Sequence, residues 1–137
     1  MPGPDNVEII RRLYSEFLSA PEQLTAPEML EFFDRDVVVE QSASLLGTEG
    51  TFRGHEGLAR AARESFADFR DLHWVPQRIE AAGDQVVATV ESRGFGKVSG
   101  VPVSMVTVHT WTLRDGRVVR WHVRVPHADP EDPPRGR

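Results

Sequence analysis

The chain has 137 residues, of which 39% are apolar and 27% charged, with no cysteine and a formal net charge of −5 at pH 7. These values are typical of one globular domain, and the lack of cysteine excludes disulfides, thiolate metal sites and cysteine nucleophiles. The acidic balance disfavours nucleic acid as a partner, and no apolar run is long enough to span a membrane. Because the start, MPGPDN, lacks a basic segment followed by an apolar one, we expect a cytoplasmic protein.

The first predicted helix begins near residue 6 and ends before Pro21. Asp5 or Asn6 can cap it, since both side chains accept hydrogen bonds from the first turn. Apolar residues follow at helical spacing: Val7, Ile10, Leu13, Tyr14, Phe17 and Leu18.

Two more helices are predicted in the first half of the chain. The pattern Thr25–Glu28 is a capping box and opens a short helix, with these side chains facing inward: Met29, Leu30, Phe32 and Phe33. A β-rich run at 36–40 and a predicted loop at 47–54 separate it from a third helix, Glu56 to about Asp68.

The second half reads as four strands joined by tight turns. Gly83-Asp84 and Asp115-Gly116 are typical of hairpins, and the predicted strands cover residues 72–81, 85–93, 103–113 and 117–125. We therefore predict an α+β fold, a cone-shaped α+β barrel with three N-terminal helices packed on a curved antiparallel sheet. The mouth of the cone is the expected ligand pocket.

A single domain is expected at residues 6–126. The Pro- and Gly-rich segments at 1–5 and 127–137 are predicted to be a disordered N-terminus and a flexible C-terminal tail.

Five segments occur in a characteristic order: FFDRDVVVE (32–40), FRGHEGL (52–58), FADFRDL (66–72), EAAGDQVVA (80–88) and DGRVVRW (115–121). Together they resemble the SnoaL-like branch of the nuclear transport factor two-like superfamily, which includes polyketide cyclase-like and ketosteroid isomerase-like proteins. The resemblance covers roughly residues 6–126 and supports the cone-shaped fold. It implies function less specifically, because this fold hosts isomerases, cyclases, epoxide hydrolases, dehydratases and non-catalytic subunits.

His109 and Tyr14 are the predicted catalytic residues. Resemblance to ketosteroid isomerase places His109 where that enzyme has a protonated aspartic acid in its oxyanion hole, and Tyr14 near its phenolic donor. An imidazole titrates near neutral pH, so we expect His109 to be the acid–base group and Tyr14 a hydrogen-bond donor. Gln41 stands where the isomerase has its base, and an amide cannot replace a carboxylate. Steroid isomerisation with the usual base is therefore not expected.

The remaining predicted site residues would bind substrate inside an aromatic cavity: Gln41, Glu91, Arg93, Trp111, Trp121, Phe33 and Phe66. The orientation of Glu91 and Arg93 is open. The resemblance turns them inward, whereas Val86, Ala88 and Val90 form a cleaner apolar face that would leave them in solvent. Because buried aromatic residues are commonly core, the phenylalanines also fit a purely structural role.

Alternation along the last strand predicts that Trp121 faces inward and that a polar stripe faces outward: Arg120, His122 and Arg124. One alignment with SnoaL-type cyclases instead gives His122 their acid–base position. The epoxide hydrolases' aspartate position is Val123, which argues against that mechanism. Trp74 fits either the pocket or a dimer contact.

The five histidines lack metal-ligand spacing, and no phosphate-binding loop occurs. We therefore expect neither metal nor cofactor.

Three functions remain open. The first is acid–base catalysis, such as isomerisation, cyclisation or dehydration, on a hydrophobic, carbonyl-bearing small molecule. The second is non-catalytic ligand binding, favoured by Gln41. The third is an interaction module using the outer sheet face. A homodimer is expected in each case, because an open sheet has a face and edges to cover.

Overall fold

The structure, a computed structural model, describes residues 5–18, 27–42, 50–67 and 69–125. Its helices are α1 (Asn6–Leu13), α2 (Pro27–Leu30) and α3 (Gly54–Phe66). Its strands are β1 (Phe33–Ser42), β2 (Gly50–Arg53), β3 (Phe69–Ala82), β4 (Gln85–Gly96), β5 (Pro102–Arg114) and β6 (Arg117–Arg124). Residues 1–4 and 126–137, which hold almost all of the predicted disordered N-terminus and the whole predicted tail, lie outside the described residues.

The six strands form one curved, open sheet in the order β2-β1-β6-β5-β4-β3. The antiparallel prediction holds for four of the pairings but is wrong for β1 and β6, which run parallel. Parallel neighbours need a long connection, and here α3 and four further strands lie between them. Residues 50–53, predicted as loop, instead form β2 and pair with β1.

The helical part is smaller than predicted. α1 is capped by Asp5, whose Oδ1 accepts from the backbone N–H of Val7 at 3.1 Å and of Glu8 at 3.3 Å. The first helix then continues as a π-helical turn at Tyr14–Leu18, in which Tyr14 and Leu18 are buried. α2 is a single turn of four residues, and α3 follows two strands rather than preceding the sheet.

One face of the sheet packs against the helices and carries the core. Val86, Ala88 and Val90 of β4 are completely buried, as are Trp111 of β5 and Val118 of β6. We call this side the inner face and the opposite side the outer face. α3 lies so close to β2 that a Cβ added at Gly57 would stand 2.9 Å from the Phe52 carbonyl carbon. None of the described helices has the length and apolar character needed to cross a bilayer.

Candidate functional site

Strand alternation brings four of the predicted site residues to the inner face: Gln41, His109, Trp111 and Trp121. Gln41 of β1 pairs with Val123 of β6, and Val123 pairs with His109 of β5. The Gln41 and His109 backbones are thus two strand spacings apart, about 10 Å.

His109 is fully buried and both of its ring nitrogens are hydrogen-bonded. Nδ1 accepts from the indole Nε1–H of Trp121 at 3.2 Å, and Nε2 lies 3.0 Å from the hydroxyl oxygen of Thr107. The Trp74 ring packs edge-on against the imidazole at 5.1 Å between centroids, and the Tyr14 ring lies at 6.0 Å. The imidazole therefore sits in an aromatic cage.

Burial lowers the pKa of His109 to about 3, because an imidazolium in this cage would lose its hydration. The ring is therefore neutral at neutral pH. Its one lone pair, on Nδ1, is occupied by Trp121. The predicted acid–base role thus requires the indole N–H to leave Nδ1 before His109 can take a proton.

Tyr14 lies against the same cluster. Its hydroxyl oxygen accepts from the Nε1–H of Trp111 at 3.1 Å, and the two rings meet edge to face at 5.7 Å. Burial raises the pKa of Tyr14 well above its usual range, so the phenol keeps its proton. Among the described residues, nothing accepts that hydrogen.

Trp111 and Trp121 form the floor of the site. Their rings stack at 4.4 Å with 15° between their planes. Phe33 packs beside them, 6.1 Å from Trp121 and 6.3 Å from Trp111. Phe33 is thus inside, as predicted, although it begins β1 rather than belonging to a helix. Phe66 ends α3, and its side chain lies outside the described part of the structure.

The inner face becomes more exposed toward one end of the sheet. Along β5, Trp111 and His109 are 0% exposed and Thr107 is 5% exposed, whereas Met105 and Val103 are only half-buried. Trp74, in the same cross-strand row as Met105, is half-buried too. Gln41 and Val123, in the row of His109, are also half-buried. A ligand approaching from the Met105 end would meet Met105, Val103 and Trp74 before His109.

Glu91 and Arg93 lie on the outer face, so the inward orientation implied by the resemblance is wrong. The reason is that Val86, Ala88 and Val90 occupy the inner face, and alternation turns the next odd-numbered residues outward. Arg93 donates to Glu91 at 2.7 Å, and Gln77 and Ser104 also donate to this carboxylate. The pKa of Glu91 is lowered, chiefly by the hydrogen bond from Arg93. The pair borders an outer-face cavity of about 490 Å³.

The polar stripe of β6 lies on the outer face as predicted. Arg120 binds Glu40 of β1, while Gln41 takes the inner side. His122 shares the orientation of Arg120, so the alignment that gave it an acid–base position inside the fold is not supported by the strand geometry. Trp74 faces inward through its contacts with His109 and Trp121.

Two buried polar residues, Thr107 and Ser92, were not among the predicted site residues. Both stand on the inner face, two positions from a residue already assigned to it. Period-two alternation from His109 would have found Thr107, but a threonine between valines is also ordinary strand composition. Across the described ranges, no group of three or more His, Asp or Glu side chains is arranged to hold a metal ion.

Comparison with known proteins gives a consistent result. The SnoaL-like domain model matches residues 10–121. An NTF2-like protein of unknown function from Burkholderia pseudomallei is 23% identical with a TM-score of 0.75, covering 90% of this chain and 92% of that one. A candidate SnoaL-like polyketide cyclase from Jannaschia sp. CCS1 is 22% identical, with a TM-score of 0.73 and coverage of 88% and 85%.

IdmH from Streptomyces antibioticus, a candidate polyketide cyclase, is 25% identical with a TM-score of 0.69, covering 87% of this chain and 90% of that one. No curated protein matches the sequence at a significant level.

Proposed function

We propose, from the premise that this chain belongs to the SnoaL-like domain family, that it binds a hydrophobic, carbonyl-bearing small molecule at the inner face and promotes its isomerisation, cyclisation or dehydration. The observation that carries this proposal is a neutral imidazole and a neutral phenol buried together among aromatic rings. The neutral phenol can donate a hydrogen bond to an oxygen, and the neutral imidazole can accept a proton, without carrying charge into the apolar site beforehand.

The proposed chemistry is polarisation of the carbonyl. Hydrogen bonds to its oxygen stabilise the negative charge that develops when a proton leaves the adjacent carbon. Tyr14 supplies one donor, because its hydroxyl hydrogen is not used by any described residue. No metal or cofactor is part of this proposal.

His109 is the proposed proton acceptor, acting through Nδ1 once Trp121 has turned away. Among the described residues, the fully buried titratable groups are His109 and Tyr14 alone, and no carboxylate is buried with them. A displaced indole would also remove part of the aromatic cage and let solvent approach the ring. Both changes would raise the basicity of His109 toward its ordinary value.

The likeness to IdmH supports the substrate class. At 25% identity, that candidate polyketide cyclase shares the fold over most of both chains. Polyketides are hydrophobic and rich in carbonyl groups, which suits an interior of tryptophan and phenylalanine with hydroxyl donors. Gln41, half-buried on the inner face in the same cross-strand row as His109, is proposed to orient the substrate.

Binding can be tested with two compounds of nearly equal shape, 2-acetylnaphthalene and 2-ethylnaphthalene. We expect the protein to prefer the ketone, and Tyr14→Phe to lose about ten-fold in ketone affinity while its affinity for the hydrocarbon stays unchanged. Equilibrium dialysis measures both dissociation constants. Equal binding of the two compounds by the wild-type protein would contradict the carbonyl-binding proposal.

Catalysis is tested separately from binding. The acetyl protons of 2-acetylnaphthalene exchange with D2O through the enolate, and NMR follows this exchange directly. We expect exchange above the buffer rate with the wild-type protein and its loss in His109→Gln. If the ketone is bound but its exchange is not accelerated, the alternative of non-catalytic ligand binding is favoured; the occupied Nδ1 of His109 supports this alternative.

We also propose a homodimer formed through the outer face. Val75 and Val106 of this face are each 42% exposed, and they flank Glu91 in register across three strands. A two-fold axis near β5 would bury these valines of one protomer against those of its partner. Sedimentation should show a dimer at micromolar concentration, and Val106→Glu should convert it to a monomer.

A further inference from the structure

We propose that Thr107 donates a second hydrogen bond, beside that of Tyr14, to the ligand's carbonyl oxygen, and that His109 and Trp121, in the hydrogen-bonded arrangement of the free protein, position its hydroxyl group. This inference rests on the proposed function and names the donor that lies nearest the exposed end of the site. It follows from counting the hydrogens of three neighbouring side chains.

The first step fixes the tautomer of His109. An indole nitrogen can only donate, so the Trp121 Nε1–H, 3.2 Å from Nδ1, requires that Nδ1 carry no proton. A neutral imidazole has one N–H, which must then be on Nε2. With the opposite tautomer, two N–H groups would point at each other across this contact.

The second step fixes the role of Thr107. The Nε2–H of His109 faces the Thr107 hydroxyl oxygen at 3.0 Å, so the hydroxyl accepts this hydrogen bond. A hydroxyl that accepts still has its own hydrogen to donate. No described residue accepts that hydrogen.

The third step concerns location and strength. Thr107 is 5% exposed and lies between fully buried His109 and half-buried Met105, on the inner face. Its hydroxyl hydrogen is therefore free to point toward an oxygen acceptor that enters from the Met105 end of the inner face. The chain from Trp121 through His109 to Thr107 also polarises in one direction, which strengthens the last donor.

The binding test uses Thr107→Val, which is nearly isosteric and lacks the hydroxyl. We expect about a ten-fold loss of affinity for 2-acetylnaphthalene with no change for 2-ethylnaphthalene, and recovery in Thr107→Ser. Thr110→Val is the matched control, because it makes the same change three residues along the same strand but on the outer face. It should leave both affinities unchanged.

The tautomer is read independently by ¹⁵N NMR of the ligand-free wild-type protein, which does not depend on any variant folding. We expect a protonated Nε2 and an unprotonated Nδ1 in His109. A protonated Nδ1 would overturn the proposal, because Nε2 would then be an acceptor and the Thr107 hydroxyl would donate its hydrogen to His109. So would a folded Thr107→Val whose preference for the ketone is as large as that of the wild-type protein, because Tyr14 alone would then account for the preference.

Failure of the proposed function has a different signature. The wild-type protein would then bind the ketone and the hydrocarbon equally, which overturns the ligand role of Thr107 as well. A wild-type preference for the ketone that is undiminished without the Thr107 hydroxyl overturns the Thr107 proposal alone.

Discussion

Acidification from pH 6.5 to 4.5 is expected to destabilise the folded protein by about 2.3 kcal/mol, from His109 alone. The pKa of His109 is lowered to about 3 in the folded state by burial, whereas the unfolded chain has the ordinary value of about 6.5. Between these values the unfolded state binds one more proton than the folded state. The stabilisation is therefore complete above about pH 6.5 and is lost as the pH falls toward 3.

Urea unfolding at a series of pH values measures this effect, with His109→Gln as the control. The variant is expected to be less stable at pH 7 and to show a much flatter dependence between pH 6.5 and 4.5. Glu91 contributes little in this window, because its stabilisation is lost as the pH falls from the ordinary value of 4.5 toward its lowered pKa, and its contribution is common to wild type and variant. Equal slopes for wild type and variant would show that His109 is not the group responsible.

Trp111→Ala is expected to cost about 3–5 kcal/mol of unfolding free energy, a large share of the stability of a typical domain. Trp111 is fully buried, stacks on Trp121 at 4.4 Å and donates to the Tyr14 hydroxyl. Truncation to alanine would remove the stacking surface, leave a cavity and take away this hydrogen bond. Urea unfolding at pH 7 measures the change as a lower transition midpoint.

Trp111→Phe separates packing from hydrogen bonding. It keeps an aromatic ring beside Trp121 but removes the indole N–H, so we expect a loss of only about 1–2 kcal/mol. If the phenylalanine variant is as unstable as the alanine variant, the indole contact with Tyr14 carries more of the stability than the packing does.

The sequence predicted which faces of the strands are buried better than it predicted which strands are neighbours. Alternation put Trp121 inside and Arg120 outside, and it put His109 and Trp111 on one shared face of their strand, because a two-residue period is a local property. The parallel pairing of β1 with β6 is a contact between distant segments, and nothing in the local pattern around Val39 or Trp121 specifies it. The short strand β2 was missed for the same reason, since GTFR is a strand only through its pairing with β1.

At the site, residue types were easier to predict than their roles. Tyr14 and His109 were found as the interior polar groups, but the low basicity of His109 depends on Trp74 and Trp121, which come from two other strands. The resemblance misplaced Glu91 and Arg93, where the apolar alternation of β4 indicated the correct face. Thr107 is distinguished from other strand threonines only by the imidazole beside it.

The position of β6 has a consequence for how the chain folds. In the sheet as described, β2 and β1 form one part and β5, β4 and β3 another, and β6 is the strand that joins them. Because β6 follows all the other strands in the chain, β1 and β2 cannot join the rest of the sheet until this last strand has paired. Pairing of such distant segments slows folding. Until β6 is in place, the edges of β1 and β5 that will pair with it are both unpaired and open to pairing with another chain.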